Sequence, residues 1–267
     1  DLGAVDAAAW DALVSSSPQP TPFISHAFLH ALHDTGCASA DTGWEPHYLT
    51  VWRGDRLCAG VPLYRKHHSY GEYVFDWAWA DAYARHGLDY YPKWLVAVPF
   101  TPVPGTRLLA LDRAARQLAA RALIELTDES ALTSLHVLFA TEDEADELQA
   151  LGAMTRQAVQ FHWFNRDYAD FDAYLAQLAQ PKRKKIRAER RKVADAGVTV
   201  RRVTGSEITE RDWTLFHRCY RSTYAAHHST PYLNLRFFER IARTMADQIL
   251  IIVATRNGRD IAAALAI

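Results

Sequence analysis

The first half of the chain alternates between apolar positions at helical spacing and apolar positions at strand spacing. Ser25 is a suitable N-cap, Ile24 and Leu29 form a hydrophobic staple, and the stripe that follows predicts a helix to about Asp34. Two strand-like runs around a Gly-Asp turn predict a β-hairpin in the segment PHYLTVWRGDRLCAGVPLY. Alternation in GEYVFDWAWAD then predicts a third strand. Its alternating rings are Tyr73, Phe75, Trp77 and Trp79.

After a proline-rich loop, VPFTPVPG, a long amphipathic helix is predicted from Arg113 onward. Its apolar stripe is Ala115, Leu118, Ala122 and Leu126. A buried strand, SLHVLFA, follows, and Thr141 with Glu144 forms a capping box for a short helix. The segment QAVQFHWFN predicts the next strand, so the order is helix, three strands, helix, strand, helix, strand.

This pattern begins again in the second half of the chain. A helix over about 170–179 leads into a helix rich in Lys and Arg, with Pro181 in its first turn and Gly197 at its end. The strand VTVRRV, two aromatic-rich helices and a hairpin with an Asn-Gly turn follow. We therefore predict two lobes, a first over 1–168 and a second over 169–267. The second begins with the basic helix, stops just after its hairpin and is incomplete.

Composition and charge narrow the class of protein. Apolar residues make up 49% of the chain, which excludes a disordered protein. The formal net charge is −1, but residues 181–192 hold eight basic side chains and one acid, so this segment is +7 and the rest is −8. Positive charge concentrated in one segment favours the binding of a small, specific anion there, since a nucleic-acid binder usually spreads basic residues over a whole face. A solvated helix face without a ligand is the alternative interpretation.

Several kinds of chemistry are not predicted. Cys37, Cys58 and Cys219 lie far apart without CxxC spacing, so neither a disulfide framework nor a zinc site is expected. The two His-His doublets would point to opposite faces of a strand, and we predict no metal. No GxSxG elbow indicates a covalent intermediate. Without a signal peptide or an apolar run of about 18 residues, we expect a cytoplasmic protein with no membrane span.

Five segments carry a resemblance to a known family: TPFISHAFL, SYGEYVFDWAWADAYARHGLDYYPK, VPFTPVPGTRLL, VQFHWFNRDYADFDAYLAQL and KRKKIRAERR. They resemble a bacterial family of predicted N-acyltransferases, described under peptidoglycan biosynthesis and grouped with the Fem-type peptidyl transferases. The resemblance implies an α/β (α+β) fold of tandem lobes like those of the Gcn5-related N-acetyltransferases (GNAT), with mixed, mostly antiparallel sheets flanked by helices. The element order of the first lobe agrees with that fold.

The resemblance also implies a reaction. An acyl or aminoacyl group would pass to an amine acceptor, for which a peptidoglycan precursor is a candidate, in a cleft between the lobes. Acyl-CoA or aminoacyl-tRNA would be the co-substrate, and no tightly bound cofactor is expected. Acyl-CoA-dependent members of the wider fold hold the pyrophosphate on a Gly-rich loop. Here the corresponding segment has one Gly and three Pro, and each Pro removes an N–H donor, so the first lobe should not bind CoA in that way.

Candidate site residues fall in three segments. In the first, YVFDWAWADAYARHGLDYYPK, Asp81 is the candidate general base, with Tyr83 or Lys93 as a donor to the developing oxyanion. Candidates for substrate binding in this segment are Asp76, Trp79, Tyr90 and Tyr91. Structural roles are the alternative, and Trp77 and Trp79 are assigned to the core in preference to the site because buried rings mostly supply area.

The second segment, QFHWFN, ends a predicted inner strand and contains His162, a candidate base, and Asn165, a candidate for substrate binding. A half-buried histidine with satisfied hydrogen bonds is the alternative. The third segment is the basic helix. We predict that one face of it binds a phosphate of the donor or acceptor. That face contains Arg183, Arg187, Arg190 and Arg191, with Lys184 at its edge, while Ile186 and Val193 dock on the core.

Two other classes of function remain open from the sequence. The first is a catalytically inactive module that binds a cell-wall precursor or another peptide. The second is RNA binding through the basic helix, for instance to the tRNA of an aminoacyl donor. RNA binding would weaken steeply with salt, whereas binding of a single pyrophosphate would depend on salt only weakly.

Overall fold

A computed structural model describes residues 2–74 and 76–267, which form a mixed α/β protein of three small sheets flanked by helices. The α-helices are α1 (Ala7–Ser15), α2 (His26–Asp34), α3 (Trp77–Arg85), α4 (Arg113–Glu129), α5 (Glu142–Ala150), α6 (Phe171–Ala176), α7 (Gln180–Asp195), α8 (Glu210–Ala226) and α9 (Leu235–Thr244). The strands are β1 (Trp44–Pro46), β2 (Leu49–Arg53), β3 (Arg56–Val61), β4 (Leu63–Lys66), β5 (Lys93–Val96), β6 (Leu109–Ala110), β7 (Leu135–Val137), β8 (Val198–Thr204), β9 (Leu250–Arg256) and β10 (Arg259–Ala266).

The sheets are mostly antiparallel, as predicted. One has the strand order β1-β4-β5-β7, and the others have the orders β2-β3-β6 and β10-β9-β8. Among the described strands, only β5 and β7 pair in parallel. The mixed α/β class with small antiparallel sheets flanked by helices is confirmed.

By its internal contacts the chain divides into two compact units, which we call unit 1 (residues 1–155 and 224–248) and unit 2 (residues 156–223 and 249–267). Within unit 1, α9 packs on α2, where the rings of Phe28 and Phe237 meet edge to face at 5.6 Å. The Asn234 side chain also donates to the carbonyl of Thr35 at 2.8 Å. The duplication of one lobe over 1–168 and 169–267 stays a prediction.

Most local predictions that rest on caps and turns are confirmed. The Ser25 hydroxyl caps α2 by accepting from the backbone N–H of Phe28, and Thr141 and Glu144 form the predicted capping box of α5. Both hairpins are present, and α7 contains Pro181 in its first turn. The buried side of α4 differs from the predicted stripe: it contains Ala115, Ala119, Ala120 and Leu123, while Leu118 is exposed.

The predicted third strand is wrong, because its second half is helix α3. In the segment WAWADAYAR, from Trp77 to Arg85, alanine occupies every second position and a larger side chain occupies each position between. This alternation fits a strand. Alanine is the strongest helix former, however, and four alanines lie in this segment. Phe75, which belonged to the predicted row of rings, lies outside the described residues.

The predicted strand in QAVQFHWFN is also wrong, because residues 157–165 are irregular. They pair with no strand in the part of the chain that the structure describes. Alternation shows only that a segment could form a strand, and a strand needs a neighbour for its backbone hydrogen bonds.

A chain of polar side chains lies inside unit 1. The hydroxyls of Tyr48 and Tyr64 are 3.0 Å apart, and His33 Nε2 lies 3.1 Å from the Tyr64 hydroxyl. The other ring nitrogen of His33 is buried and has no hydrogen-bond partner among the described residues. Burial, followed by the charge of His30, lowers the pKa of His33 to about 4. His33 is therefore neutral in the folded protein at neutral pH.

We expect His33 to weaken the protein in acid. In the unfolded chain its pKa returns to about 6.5, so between pH 6.5 and pH 4 the unfolded chain binds a proton that the folded protein does not. The free energy of unfolding should fall by about 2 kcal/mol between pH 7 and pH 5 from this group alone. Urea unfolding at the two pH values measures the loss. His33→Phe should remove this contribution, and His162→Phe, at an exposed position, should not. An equal change in unfolding free energy between pH 7 and pH 5 in both variants would contradict the role of His33.

Candidate functional site

Strands β4 and β5 place two lysines opposite each other. Their antiparallel register pairs Lys66 with Lys93, and both residues have no solvent exposure. Like charges directly opposite each other are destabilising, and burying an unpaired ammonium costs several kcal/mol. The surrounding residues must therefore supply negative charge.

Lys93 receives that charge from the loop between β4 and α3. Its ammonium donates to Asp76 Oδ2 at 2.7 Å, to Glu72 Oε2 at 2.9 Å and to Ser69 Oγ at 3.1 Å. The side chains of both carboxylates are fully buried as well. An ammonium has three N–H donors, so Lys93 has none left for a substrate. We call Lys66, Ser69, Glu72, Asp76 and Lys93 the buried ion cluster.

Lys66 is held differently. Its ammonium lies 3.8 Å from the centroid of the Trp44 ring and 3.3 Å from the carbonyl oxygen of Tyr70, to which it donates. Burial lowers the pKa of Lys66 to about 7, against the opposing effect of the Glu72 charge. Lys66 therefore changes its charge close to neutral pH.

The two carboxylates are also unequal. Burial raises the pKa of Glu72 above its usual value. At Asp76 burial acts in the same direction, but the hydrogen bond and charge of Lys93 outweigh it and lower the pKa. The hydroxyls of Ser69 and Tyr90 each donate to Asp76 Oδ2 at 2.9 Å. Asp76 is thus the more firmly ionised of the two.

The segment from Tyr70 to Trp79, which contains Glu72 and Asp76, also places aromatic rings at the surface. Asp76 occupies the N-cap position of α3, and four rings before and after it are about half exposed. They are Tyr70 (58%), Tyr73 (46%), Trp77 (47%) and Trp79 (50%), and we call them the aromatic surface. The Tyr70 and Trp77 rings are 5.3 Å apart between centroids. The assignment of Trp77 and Trp79 to the core is therefore wrong. Exposed rings in such number on one segment are typical of a binding surface.

The structure brings four of the predicted site residues together. Asp76, Tyr90 and Lys93 meet in the buried ion cluster or contact it, and the Tyr91 hydroxyl lies 2.7 Å from Ser69 Oγ. The structure argues against a direct role for Lys93 in donating to the substrate, because the side chain is fully buried and its donors are used.

Helix α3 carries the predicted base and its partner donor. Asp81 is exposed, and its carboxylate accepts a hydrogen bond from Arg85 one turn later. Its side chain is 63% exposed and already paired, which argues against its role as the general base. The Tyr83 ring lies 5.2 Å from the Tyr90 ring, so Tyr83 contacts the edge of the group that surrounds Asp76.

His162 and Asn165 are exposed in the irregular segment of unit 2. They do not end an inner strand, since that strand is absent. The His162 ring stacks on Phe164 at 6.3 Å, and Asn165 Oδ1 accepts from the backbone N–H of Asp167. Both contacts are local, and neither gathers polar groups of the kind a reaction centre needs.

The arginine face of α7 fastens that helix to α6. Arg183 donates to the carbonyls of Ala176 and Leu178, and Arg187 pairs with Asp172 at 2.9 Å. The guanidinium of Arg190 lies 4.3 Å over the Phe171 ring. These three arginines are thus already engaged, which weakens the prediction that they bind a phosphate.

The remaining basic residues of α7 lie beside or opposite the attached face. At about 100° per residue, Lys184 and Arg191 lie roughly a quarter turn from that face, and Lys192 lies about opposite it. Among the described residues, no ion pair joins these three to an acidic side chain. Val193 was expected to dock on the core and is instead 47% exposed.

Sequence reasoning missed Lys66, Ser69 and Glu72. Lys66 ends strand β4 next to Arg65 and before two histidines, so nothing in the local pattern indicated that this lysine is buried. Its partner could not be found without the register, since Lys66 and Lys93 are separated by a loop and helix α3.

The described residues contain no group of three or more His, Cys, Asp or Glu side chains placed to hold a metal ion. None of their helices combines the length and apolar character needed to cross a membrane.

We expect Lys93→Met to cost about 3–5 kcal/mol of unfolding free energy, because it leaves Glu72 and Asp76 buried without their counter-charge. Lys66→Met should cost less, since no carboxylate of residues 2–74 and 76–267 pairs directly with Lys66 and its pKa is about 7. Urea denaturation of the two variants at pH 7 measures both. A loss that is equal in the two, or larger for Lys66→Met, would show that Lys93 is not the centre of the cluster.

Comparison with known proteins supplies the family. A family model described as FemAB-like, peptidoglycan biosynthesis/recognition, matches residues 1–267. A search of the curated proteins finds no match. Five chains among the solved structures match. One, "Crystal structure of FemX", is 15% identical with a TM-score of 0.47, and the match covers 94% of this chain but 57% of that one. Since the family model covers every residue, the chain belongs to the FemAB-like family of peptidoglycan biosynthesis and recognition.

Proposed function

We propose that this protein transfers an acyl or aminoacyl group from an activated donor to the amine of a peptidoglycan precursor. The whole-chain family match supports a peptidoglycan-related role, and Fem transferases add aminoacyl groups from aminoacyl-tRNA to such precursors. Acyl-CoA and aminoacyl-tRNA are the two candidate donors. The protein's own contribution would be to bind the acceptor and orient its amine.

The observation that carries the proposal is the aromatic surface over the buried ion cluster. Peptidoglycan precursors combine sugar rings with a short peptide, and aromatic side chains supply large, rigid contact area to such ligands at low entropic cost. A rigid base is needed for that surface to be preorganised. The buried ion cluster provides one, because Asp76 fixes the start of α3 and the Tyr70 carbonyl is held by Lys66.

The reaction itself needs few protein groups. The acceptor nitrogen attacks the acyl carbon, a C–N bond forms, and the C–O bond to tRNA or the C–S bond to CoA breaks. The attacking ammonium loses one proton before attack and the nitrogen a second one afterwards, while the leaving oxygen or sulfur gains one. We give Lys93 and Asp76 a positioning role in this reaction, because neither ion reaches the surface.

The loop over residues 98–108 argues against acyl-CoA bound to the first lobe, and since the Fem family uses aminoacyl-tRNA, we favour that donor. Three prolines remove N–H donors from the loop, as the sequence indicated. It leads into strand β6, and α4 begins only at Arg113. A pyrophosphate site of the usual kind needs both free N–H groups and a helix N-terminus directly after them. This loop offers neither in the required arrangement.

A binding module without catalysis is the second candidate. It is favoured by one observation: Asp81, the exposed carboxylate of α3, is paired with Arg85. An accessible base is needed for turnover but not for recognition. Turnover assays therefore separate the two candidates.

We expect Tyr70→Ala and Trp77→Ala each to raise the KM for the amine acceptor roughly tenfold, corresponding to the loss of one ring contact of about 1.4 kcal/mol. Trp52→Ala is the matched control, because Trp52 is equally exposed (47%) and lies on β2. The KM is measured from initial rates over a range of concentrations of a UDP-linked muropeptide. The melting temperature of each variant shows whether it is folded. An equal change in KM in all three variants would show that the aromatic surface does not bind the acceptor.

The donor is tested directly with radiolabelled aminoacyl-tRNA and acyl-CoA, each mixed with the muropeptide acceptor. We expect label in the muropeptide from aminoacyl-tRNA, at a rate above that with CoA thioesters. Tight muropeptide binding with no transfer from either donor would establish the binding module instead. Loss of both binding and transfer would refute the proposal.

A further inference from the structure

Helix α7 presents two chemically different faces. The face on α6 uses arginine, through Arg183, Arg187 and Arg190, and is already occupied. The side turned to solvent contains Lys184 and Arg191 next to that face and Lys192 about opposite it, and we call these three residues the lysine face. None of them has an acidic partner among the described residues. Lysine is a compact, hydrated point charge, and unlike arginine it does not form the bidentate contacts typical of specific phosphate recognition. The open face is therefore suited to a diffuse negative surface.

An exposed apolar segment accompanies this face in the same unit. Residues 156–166 hold Val159 (82% exposed), Phe161 (97%), Trp163 (64%) and Phe164 (71%), with Arg156 and Arg166 at the two ends. Single exposed apolar residues are common, but a run of four at this exposure indicates a surface that contacts something apolar. We call residues 156–166 the apolar segment.

Side-chain contacts connect the apolar segment to α7 through α6. The Trp163 ring lies 6.3 Å from the Tyr174 ring, and Tyr174 in turn lies 5.7 Å from Phe171. Phe171 carries the guanidinium of Arg190 at 4.3 Å. The exposed rings and the basic helix thus belong to one continuous set of contacts within unit 2.

We infer that unit 2 docks on an anionic lipid surface, with the lysine face of α7 attracted to the headgroups and the apolar segment inserted at the interface. Basic residues combined with exposed Trp, Phe and aliphatic side chains are the pattern of interfacial binding. Single-stranded nucleic acid fits less well, because Val159 has no π-face on which a base could stack. The inference is independent of the transfer reaction, since it concerns binding alone.

Flotation with vesicles tests it directly. The whole chain should bind vesicles rich in phosphatidylglycerol, bind phosphatidylcholine vesicles far more weakly, and lose affinity as salt rises. The variant Lys184→Glu/Arg191→Glu/Lys192→Glu should lower binding on the order of 100-fold, because each basic residue near an anionic surface contributes to attraction. The matched control reverses three exposed charges of unit 1: Arg56→Glu/Arg113→Glu/Arg121→Glu. It changes the net charge equally and should retain binding.

The apolar contribution has its own variant. Phe161→Ser/Phe164→Ser should weaken binding to phosphatidylglycerol vesicles roughly tenfold or more, and Leu118→Ser, at an exposed position of α4, should not. Equal binding to both kinds of vesicle, or an equal loss in the two charge variants, would overturn the inference. So would binding of single-stranded RNA in place of vesicles, or a stable dimer of this chain that buries the two phenylalanines.

Discussion

The buried pairing of Lys66 with Lys93 is the constraint on which the rest of unit 1 depends. Two ammonium groups opposite each other on adjacent strands are unfavourable, and removing them from water makes them more so. The chain after β4 must therefore return over the sheet to bring two carboxylates to this point. Glu72 and Asp76 arrive on that return, and with both lysines charged the four groups sum to zero.

This compensation determines what lies outside the cluster. Because Asp76 is held by Lys93, Ser69 and Tyr90, the first turn of α3 is fixed in place. The rings that precede and follow it are then directed into solvent instead of the core. An element with four half-exposed rings would be difficult to hold in one conformation by packing alone, and buried ionic contacts supply the specificity that packing lacks. The polar interior and the aromatic exterior are thus two results of one arrangement.

Sequence reasoning succeeded where the signal was local. Caps, turns and the basic helix were found because Ser25, Thr141 with Glu144, and Pro181 each act on neighbours within one helical turn. It failed where one pattern was compatible with two kinds of secondary structure. Alternating alanines in WAWADAYAR fit both a strand and a helix; alanine's helix propensity favours the helix, and its N-cap residue Asp76 is held by Lys93 from a later strand.

The candidate site was accessible from sequence only in part. Asp76, Tyr90, Tyr91 and Lys93 were recognised as a group because polar side chains among large rings are unusual. Their roles stay predictions, and only for Lys93, expected to donate to the oxyanion, does full burial argue against the role, since burial cannot be read from composition. In α7 the helix was predictable but the division into an attached arginine face and an open lysine face was not. That division is set by α6, whose aromatic and carboxylate groups select guanidinium over ammonium.

The charge balance of the buried ion cluster also limits how this sequence can change over time. An uncharged residue in place of Lys93 leaves two carboxylates with Lys66 as their one remaining counter-charge in the cluster, and no single substitution removes both carboxylates at once. The route to an apolar version of this core therefore passes through a less stable intermediate, although the apolar endpoint need not be less stable than the charged one. Lys93, Glu72 and Asp76 should be inherited as a set, and a relative that has lost one of them should have lost all three.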